Sequence, residues 1–384
     1  MPTAIVAGGG IAGLASALAL TQQGWRVTVL ERAAVLGEVG AGVALARNGV
    51  ASLQALGFDD GAIASIGTLS RAGGTFDLRG RPILALSEDV DGVTMRGVHR
   101  ARLHGALLER VQERGVDLIT GAQVTSPVPG VPGGAQAEVT ADGITYRADL
   151  LVAADGVNSA VRAALAPVPQ PVYSGYSSWR AVLDHTLDPP VLTQYWGPHA
   201  ELGTMPIDDD RTYWYGYVKM PQGTLLLDEH LAASERFADW ASPVRQIIAA
   251  TPPGAVMRHD VFHLPGGMAR YHHGRVVAVG DAAHAMLPTM GQGVATALED
   301  GICVGKLVGE PVAAGGDLAT ALADYDAARR PRCRTIARSA LASAIAGSHL
   351  GPGLQGVRNA LMRLTPRSAI SRGADAVMGW TPPV

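Results

Sequence analysis

Three glycines, Gly8, Gly10 and Gly13, and a carboxylate 18 residues further on, Glu31, have the spacing that holds a dinucleotide. Gly8 allows a tight turn, Gly10 lets the backbone approach a pyrophosphate, and Gly13 lets a helix pack closely on a strand. Glu31 can then accept hydrogen bonds from a ribose hydroxyl pair. Far along the chain a second group has chemical potential: Gly280-Asp281, Pro288 and Gly291-Gln292-Gly293. The free N–H groups at the start of a helix opened by Gly291-Gln292-Gly293 favour negative charge. Asp281, following a buried strand, needs hydrogen-bond donors because an unpaired buried carboxylate is costly. Between the two lies Asp155-Gly156, followed by Asn158, Ser159 and Arg162, with Asn158 or Ser159 placed to cap a helix.

The flanking residues predict the elements that would hold these groups. Thr3–Ala7 reads as a short buried strand, Ile11–Gln23 as an Ala/Leu-rich helix, and Arg26–Leu30 as a second strand ending in Glu31. That is a βαβ unit with its acid in place, the context that separates a nucleotide-binding turn from a merely glycine-rich one. Leu150–Ala154 and Arg275–Gly280 are further buried strands that run into the second and third motifs.

Composition bounds the rest. With 384 residues, 47% hydrophobic and 17% charged, the chain can bury a large core and suggests two domains. A net charge of −3 argues against a nucleic-acid partner. The two cysteines, Cys303 and Cys333, have the spacing of neither a metal site nor a redox pair, which suits a reducing cytoplasm. A strand beginning at Thr3 leaves no room for a signal peptide, and no apolar run is long enough to span a bilayer. The eleven histidines do not cluster as ligands, so no metal is expected, and His284 reads as a core residue.

The organisation is interleaved α/β. Phe76–Leu86 reads as a hairpin outside the first unit; Val98–Arg100 ends a strand, Ala101–Glu113 forms a helix, and Val116–Thr120 and Ala122–Thr125 are strands. Ala141-Asp142-Gly143 turns a hairpin between Ala137–Thr140 and Ile144–Ala148. From Val172 to Phe262 the pattern becomes long alternating strands, and nine of the nineteen aromatics fall within 45 residues there. Tyr213, Tyr215 and Tyr217 share one face of a strand and Trp214 the other, so one face can line a cavity for a flat, mostly apolar ligand or simply pack a sheet. Gly293–Val308, Asp317–Arg329 and the Ala-rich stretch from Arg332 read as helices.

In order and spacing the three motifs resemble the class A flavoprotein monooxygenases, the para-hydroxybenzoate hydroxylase-like group, over about residues 1 to 335. The resemblance implies a Rossmann-like FAD-binding domain (1–70, 96–171 and 265–335) interleaved with a smaller β-sheet substrate domain (71–95 and 172–264), and a C-terminal helical segment (336–384). It implies FAD contacts from Gly8, Gly10, Ile11, Ala12, Glu31, Arg32, Ala44, Arg100, Val124, Asp155, Asp281, Pro288, Gly291, Gln292, Gly293 and Val294. Arg32 could equally be a solvated surface charge, Arg100 an ion-pair partner and Asp155 a structural residue.

The activity so implied uses NADPH or NADH and O2 to hydroxylate or epoxidise a planar aromatic, heteroaromatic or polycyclic compound through a flavin C4a-hydroperoxide. A closed apolar pocket must then exclude water. The alternative is an FAD protein that binds an aromatic compound without oxygenating it. Tyr215 and Tyr217 are candidates to deprotonate a phenolic substrate, and Arg180 and Arg211 to hold a carboxylate. The chain departs from the family at Arg47, where many relatives carry proline, so Arg47 is a further candidate for contact with FAD or substrate. It has neither a thioredoxin-like extension nor a second Rossmann unit, and a cytoplasmic monomer or homodimer is expected.

Overall fold

The computed structural model describes residues 1–37, 41–85, 94–165 and 168–384. Three sheets form. The first joins β1 (Thr3–Ala7), β2 (Arg26–Glu31), β7 (Asp117–Thr120), β11 (Leu150–Ala153), β17 (His272–His273) and β18 (Val276–Ala278) in the order β17-β18-β11-β1-β2-β7. All its pairings are parallel except that of β17. A parallel sheet is covered on both faces, which is why β11 and β18 are unbroken runs of buried residues.

The helix Ile11–Gln22 packs against this sheet, and helix Gly293–Cys303 crosses it closely. The crossing is possible because Gly301 and Gly305 face the first helix: a Cβ on either would come within 2.6 and 2.7 Å of Ala15 and Ala19. Gly293–Val308 does not run as one α-helix; it changes to π-helical geometry over Val304–Gly309, where the Gly309 carbonyl accepts a 2.9 Å hydrogen bond from Trp25 Nε1.

The second sheet has nine strands: β3 (Gly42–Ala46), β4 (Gly67–Asp77), β5 (Pro82–Ala85), β6 (Thr94–His99), β12 (Val172–Asp184), β13 (Leu192–Gly197), β14 (Ala200–Pro206), β15 (Arg211–Lys219) and β16 (Met257–His263). Residues 42–46 and 67–70, grouped with the first unit in the sequence reading, pair into this sheet instead, because β3 and β4 both hydrogen-bond to β6. β4 and β5 form the expected hairpin, whose Leu86 lies outside the described residues. A small third sheet contains β8 (Thr125–Val128), β9 (Ala137–Ala141) and β10 (Ile144–Ala148). The strand expected at Ala122–Thr125 is thus displaced to Thr125–Val128, where β9 supplies the partner that residues 122–124 lack.

Two other expectations are corrected. Helices Glu229–Arg236 and Ser242–Ala250 interrupt the stretch read as continuous strands, and their Ala233, Val244, Ile247 and Ile248 bury the outer sheet face that carries Trp179 and Trp214. The C-terminal part has one helix from Leu318 to Ala346 where two were expected, with Pro331 inside it. Proline removes one helical hydrogen bond. Arg329 and Arg332, on either side of it, bind Glu299 and Asp300 and hold the helix through the break.

Candidate active site

Parallel strands β18, β11, β1 and β2 are neighbours, and each leads at its carboxyl end into one of the sequence motifs. The three motifs and Glu31 therefore converge along one edge of the first sheet, where open α/β sheets bind their ligands. Gly8 has φ 110° and donates its N–H to Leu30 O at 2.8 Å. A Cβ on Gly13 would lie 1.9 Å from Gly8 O, whereas a Cβ on Gly10 would meet nothing within 4 Å. Gly13 is thus required for packing and Gly10 for open space in front of the helix. Ile11 is buried and Ala12 half-buried; Ala12 approaches Gly280, whose Cβ would come within 2.9 Å of it, so the first and third motifs touch.

Glu31 accepts from Gly9 N at 2.7 Å and from Ala33 N at 2.8 Å, bracing the glycine turn while each oxygen keeps a lone pair for a further donor. Arg32 beside it is exposed. His104, which sequence reading passed over, locks the turn from behind through Nε2 to Gly9 O at 2.8 Å; because a carbonyl only accepts, that nitrogen carries the proton. Arg100 is half-buried at the start of helix Arg100–Glu113, and its N–H donates to Ala41 O at 2.9 Å.

Asp155 accepts from Ser159 Oγ and from Val161 N, and Ser159 caps helix Ala160–Ala164 by accepting from Arg162 N at 2.9 Å. Asn158 is exposed, so the cap is Ser159. Arg162 is 1% exposed and donates to Val157 O at 2.6 Å and to Ala282 O at 2.9 Å, tying the second motif to the third. Burial lowers its pKa.

Asp281 takes no donor from the described residues. Gly280, at φ 55°, turns the chain outward, and Asp281 is exposed with no hydrogen bond among the described residues. The buried acid that closes this turn is Asp300, which accepts from Gly280 N at 2.7 Å. Its other contacts are His284 Nε2 at 2.6 Å and Arg329 Nε at 2.7 Å. Burial raises the Asp300 pKa, but His284 and Arg329 outweigh it and hold the carboxyl at about 2. His284 is pulled down by burial and raised by more by Cys333 and Asp300, so it stands well above its ordinary value. The donor atoms of His284, Asp300 and Cys333 lie within 4.8 Å of one another, but both Asp300 oxygens are already bound, so this is an ion-pair knot rather than a metal centre.

Gly291 takes the left-handed conformation, Gln292 is buried, and a Cβ on Gly293 would meet nothing within 4 Å. Pro288 is exposed, Val294 half-buried and Val124 buried, and half-buried Ala44 faces Gly291. Arg47 is exposed and pairs with Asp375 at 2.5 Å, so it is engaged by the C-terminal helix Arg367–Met378.

The inner face of the second sheet carries three cross-strand rows. Val182, Tyr213 and Met205 form one; Arg180, Tyr215, Gly203 and Gln194 the next; Ser178, Tyr217, Glu201 and Trp196 the third. Side chains directly opposite in a sheet share a face. Along β15 every residue from Thr212 to Val218 is buried except Tyr215, which is half-buried. The middle row is therefore the open one. Gly203 makes room for the Tyr215 ring, since a Cβ there would lie 2.3 Å from it. The Tyr215 hydroxyl accepts from Gln194 Nε2 at 2.6 Å, and burial holds its pKa well above 10, so it stays a neutral phenol with a proton to donate. Arg180 stands over the Tyr213 ring, 5.8 Å from its centre.

Two of the four catalytic candidates lie elsewhere. Tyr217 is fully buried, stacked on Tyr176 at 4.9 Å with its hydroxyl 3.3 Å from His349 Nε2. It belongs to the core that packs Leu287, Ala340 and Ala344 against the sheet. Arg211 pairs with Asp208 at 2.6 Å, which also holds Arg102 at 2.7 Å, and it lines a separate cleft of about 540 Å3 with His185 and Pro206.

A family model described as an FAD binding domain matches residues 1–340. The chain is a class A FAD-dependent monooxygenase. It is 34% identical to the aurachin C monooxygenase/isomerase of Stigmatella aurantiaca, over 99% of this chain and 98% of that one. It is 30% identical to the 2-heptyl-3-hydroxy-4(1H)-quinolone synthase of Pseudomonas aeruginosa, over 96% of both. Klebsiella pneumoniae HpxO, solved with FAD and uric acid, superimposes with a TM-score of 0.86 at 29% identity, covering 99% of this chain and 97% of that one. The monooxygenase binds FAD, uses NAD(P)H and O2, and acts on aromatic compounds. Among the described residues no helix is long and apolar enough to cross a membrane. The residues fit FAD: there is open space in front of Gly10 and Gly293, and the exposed Asp281 carboxylate has no hydrogen bond to a described residue.

Two groups on the monooxygenase's inner face escaped sequence reading. His259 of β16 is exposed to solvent yet ringed by protein; burial and the charges of Arg180, Arg100 and Arg258 lower its pKa to about 4, so it faces the cleft as a neutral imidazole. Glu201 is 2% exposed, and burial lifts it to about 7. The one available signal was a lone acid in the apolar run Ala200–Pro206, opposite Tyr217. Because its folded pKa lies above the unfolded value, Glu201 has no effect on stability below about pH 4 and opposes folding as pH rises through 7. Glu201→Gln is expected to stabilise the protein by about 3 kcal/mol at pH 8 relative to its effect at pH 4. Equal effects in denaturant unfolding at the two pH values would show that the carboxyl titrates normally.

Proposed function

We propose that the substrate is a planar fused N-heteroaromatic compound with a ring carbonyl or enol, hydroxylated on the ring while lying across the Arg180–Tyr215–Gln194 row. The observation that carries this is the open middle row itself: a neutral phenol, an amide and one guanidinium between rows buried by Tyr213 and Tyr217. Such a row offers donors to a ring oxygen and apolar walls to a flat ring. The relatives support it, since two of them, a urate hydroxylase and a 2-heptyl-3-hydroxy-4(1H)-quinolone synthase, are named for fused nitrogen heterocycles. Arg211, engaged by Asp208, is not available as a carboxylate anchor.

FAD supplies hydride acceptance and oxygen activation when bound; the chain supplies its binding and the exclusion of water. In this reading Gly8, Gly10, Ile11 and Ala12 receive the pyrophosphate, Glu31 and Arg32 the adenosine, and Asp281 the ribityl chain. Gly291, Gln292, Gly293 and Val294 face the pyrimidine edge, with Pro288, Ala44, Arg100, Val124 and Asp155 around the cofactor. In this reading residues 1–70, 96–171 and 265–335, built on the first sheet, form the cofactor domain, and residues 71–95 and 172–264 form the substrate domain. We also read the enzyme as cytoplasmic and as a monomer or homodimer; two buried free cysteines suit a reducing compartment.

The test is NAD(P)H oxidation with product mass analysis across 4-quinolones, urate and salicylate. Oxidation and a +16 product with a quinolone or urate support the reading; turnover of salicylate alone overturns it. Tyr215→Phe is expected to lower kcat/KM about tenfold on the accepted substrate, because it removes one buried donor and strands Gln194. An unchanged kcat/KM would place the substrate elsewhere.

A further inference from the structure

Asn48, in helix Arg47–Ala55, is buried among groups that leave its amide a single orientation. Glu299 is held by Arg329 at 2.7 Å and by Arg332 at 2.6 Å to each oxygen, so both oxygens already receive arginine N–H groups and serve as acceptors. The Asn48 amide end 2.6 Å from Glu299 Oε1 must therefore be its NH2. The second N–H of that group points at Gln292, 3.0 Å away, and the Gln292 atom receiving it must be the carbonyl oxygen Oε1. The Gln292 NH2 is consequently turned away from the network. The helix start is open at the next residue, where a Cβ on Gly293 would meet nothing within 4 Å. Asn48 Oδ1 has no partner although it is buried. A residue retained only to fill this space would leave no such orphan, since an unpaired buried carbonyl is costly. What the site uses is the pair of donors.

We propose that Asn48 is a positioning residue for the flavin: it fixes the polarity of the Gln292 amide so that its NH2 is presented as a donor to the electron-rich pyrimidine edge of the isoalloxazine. The inference rests on the placement of Gly291-Gln292-Gly293 at that edge. The orientation originates three residues away in Arg329 and Arg332, passes through an accepting carboxylate, and ends as a donor at the cofactor. A donor there favours the reduced, more negative flavin over the oxidised one, so the network acts on the reduction potential rather than on affinity alone.

The experiment measures the two-electron midpoint potential of bound FAD by dye-coupled reduction in the holoenzyme, in Asn48→Asp, Gln292→Leu and the double variant. An aspartate at position 48 is either ionised or spends its single proton on Glu299, so it has no donor left for Gln292, which must turn its NH2 inward and its oxygen outward. Asn48→Asp is expected to retain FAD but to weaken binding of reduced relative to oxidised flavin on the order of tenfold, about 30 mV for a two-electron couple. Gln292→Leu should lower the potential as well, and adding Asn48→Asp to it should produce no further fall. Should Asn48→Asp not fold, the uncharged Asn48→Leu takes its place in the same cycle. An unchanged potential in the Asn48 variant, or an equal fall in the Gln292→Leu background, overturns the proposal. Gln292→Leu with FAD bound and the potential unchanged overturns the placement of the motif at the flavin instead. A merely structural role for Asn48 would lower the melting temperature without following this cycle.

Discussion

Arg329→Met is expected to destabilise the protein by about 3–5 kcal/mol, the usual consequence of removing one partner from a buried ion-pair network. Arg329 is 1% exposed, and its guanidinium binds Glu299 and Asp300, both wholly buried. Without it two carboxylates remain in the core with Arg332 and His284 as their only cations among the described residues. The loss should also be felt at the active site, because Asp300 holds the Gly280 turn and Glu299 holds Asn48. Asp300 gives the effect a pH signature. Its folded pKa of about 2 is below the ordinary 3.8, so its contribution is fully present above about pH 4 and is lost as pH falls towards 2. Urea unfolding of the two proteins at pH 7 checks the prediction; a difference below about 1 kcal/mol would mean that the neighbouring chain relaxes to pair the carboxylates.

Gly10→Val is expected to reduce FAD affinity by about a hundredfold or more while leaving the apoprotein folded, because a side chain there enters the space through which the pyrophosphate approaches. Nothing in the protein opposes it, since a Cβ on Gly10 meets no atom within 4 Å. Gly13→Ala is the control with the opposite cause: its Cβ would lie 1.9 Å from Gly8 O, so helix and strand must separate and the fold itself suffers. Isothermal titration with FAD, paired with melting curves of the apoproteins, separates the two. A Gly10→Val protein that binds FAD normally would remove the pyrophosphate from this turn.

The geometry of the glycine turn was legible because its requirements are local. A tight turn and a close helix each demand one residue type at one spacing, so Gly8 and Gly13 announce themselves within a single βαβ unit, and Glu31 ends its second strand where it braces the turn through Gly9. The neighbouring order of β18, β11, β1 and β2 then brings the three motifs to one edge without altering any of them. Asp281 and Asp300 show where this reading fails. Asp281 follows an apolar run while Asp300 follows another acid, Glu299, yet Asp300 is the buried one, which depends on the turn at Gly280 and on an arginine 29 residues beyond Asp300.

Tyr213, Tyr215 and Tyr217 are equivalent in sequence: the same residue type, two apart, on one face of one strand. Only the elements packed over that face distinguish them. Gly42 of β3 covers Tyr213, whose ring a Cβ at Gly42 would meet at 2.1 Å, and Leu287 and the long C-terminal helix cover Tyr217, leaving Tyr215 at the opening. Arg180 and Arg211 part in the same way, one over an aromatic ring at the cleft and the other consumed by Asp208. The sequence by itself determined the cofactor, the class of reaction and the alternation of the substrate sheet, because these depend on backbone geometry that neighbouring residues impose. Tertiary structure alone decided which side chains stay open on the inner sheet face and which way the Gln292 amide points, because burial and hydrogen-bond partners come from residues far apart in the chain.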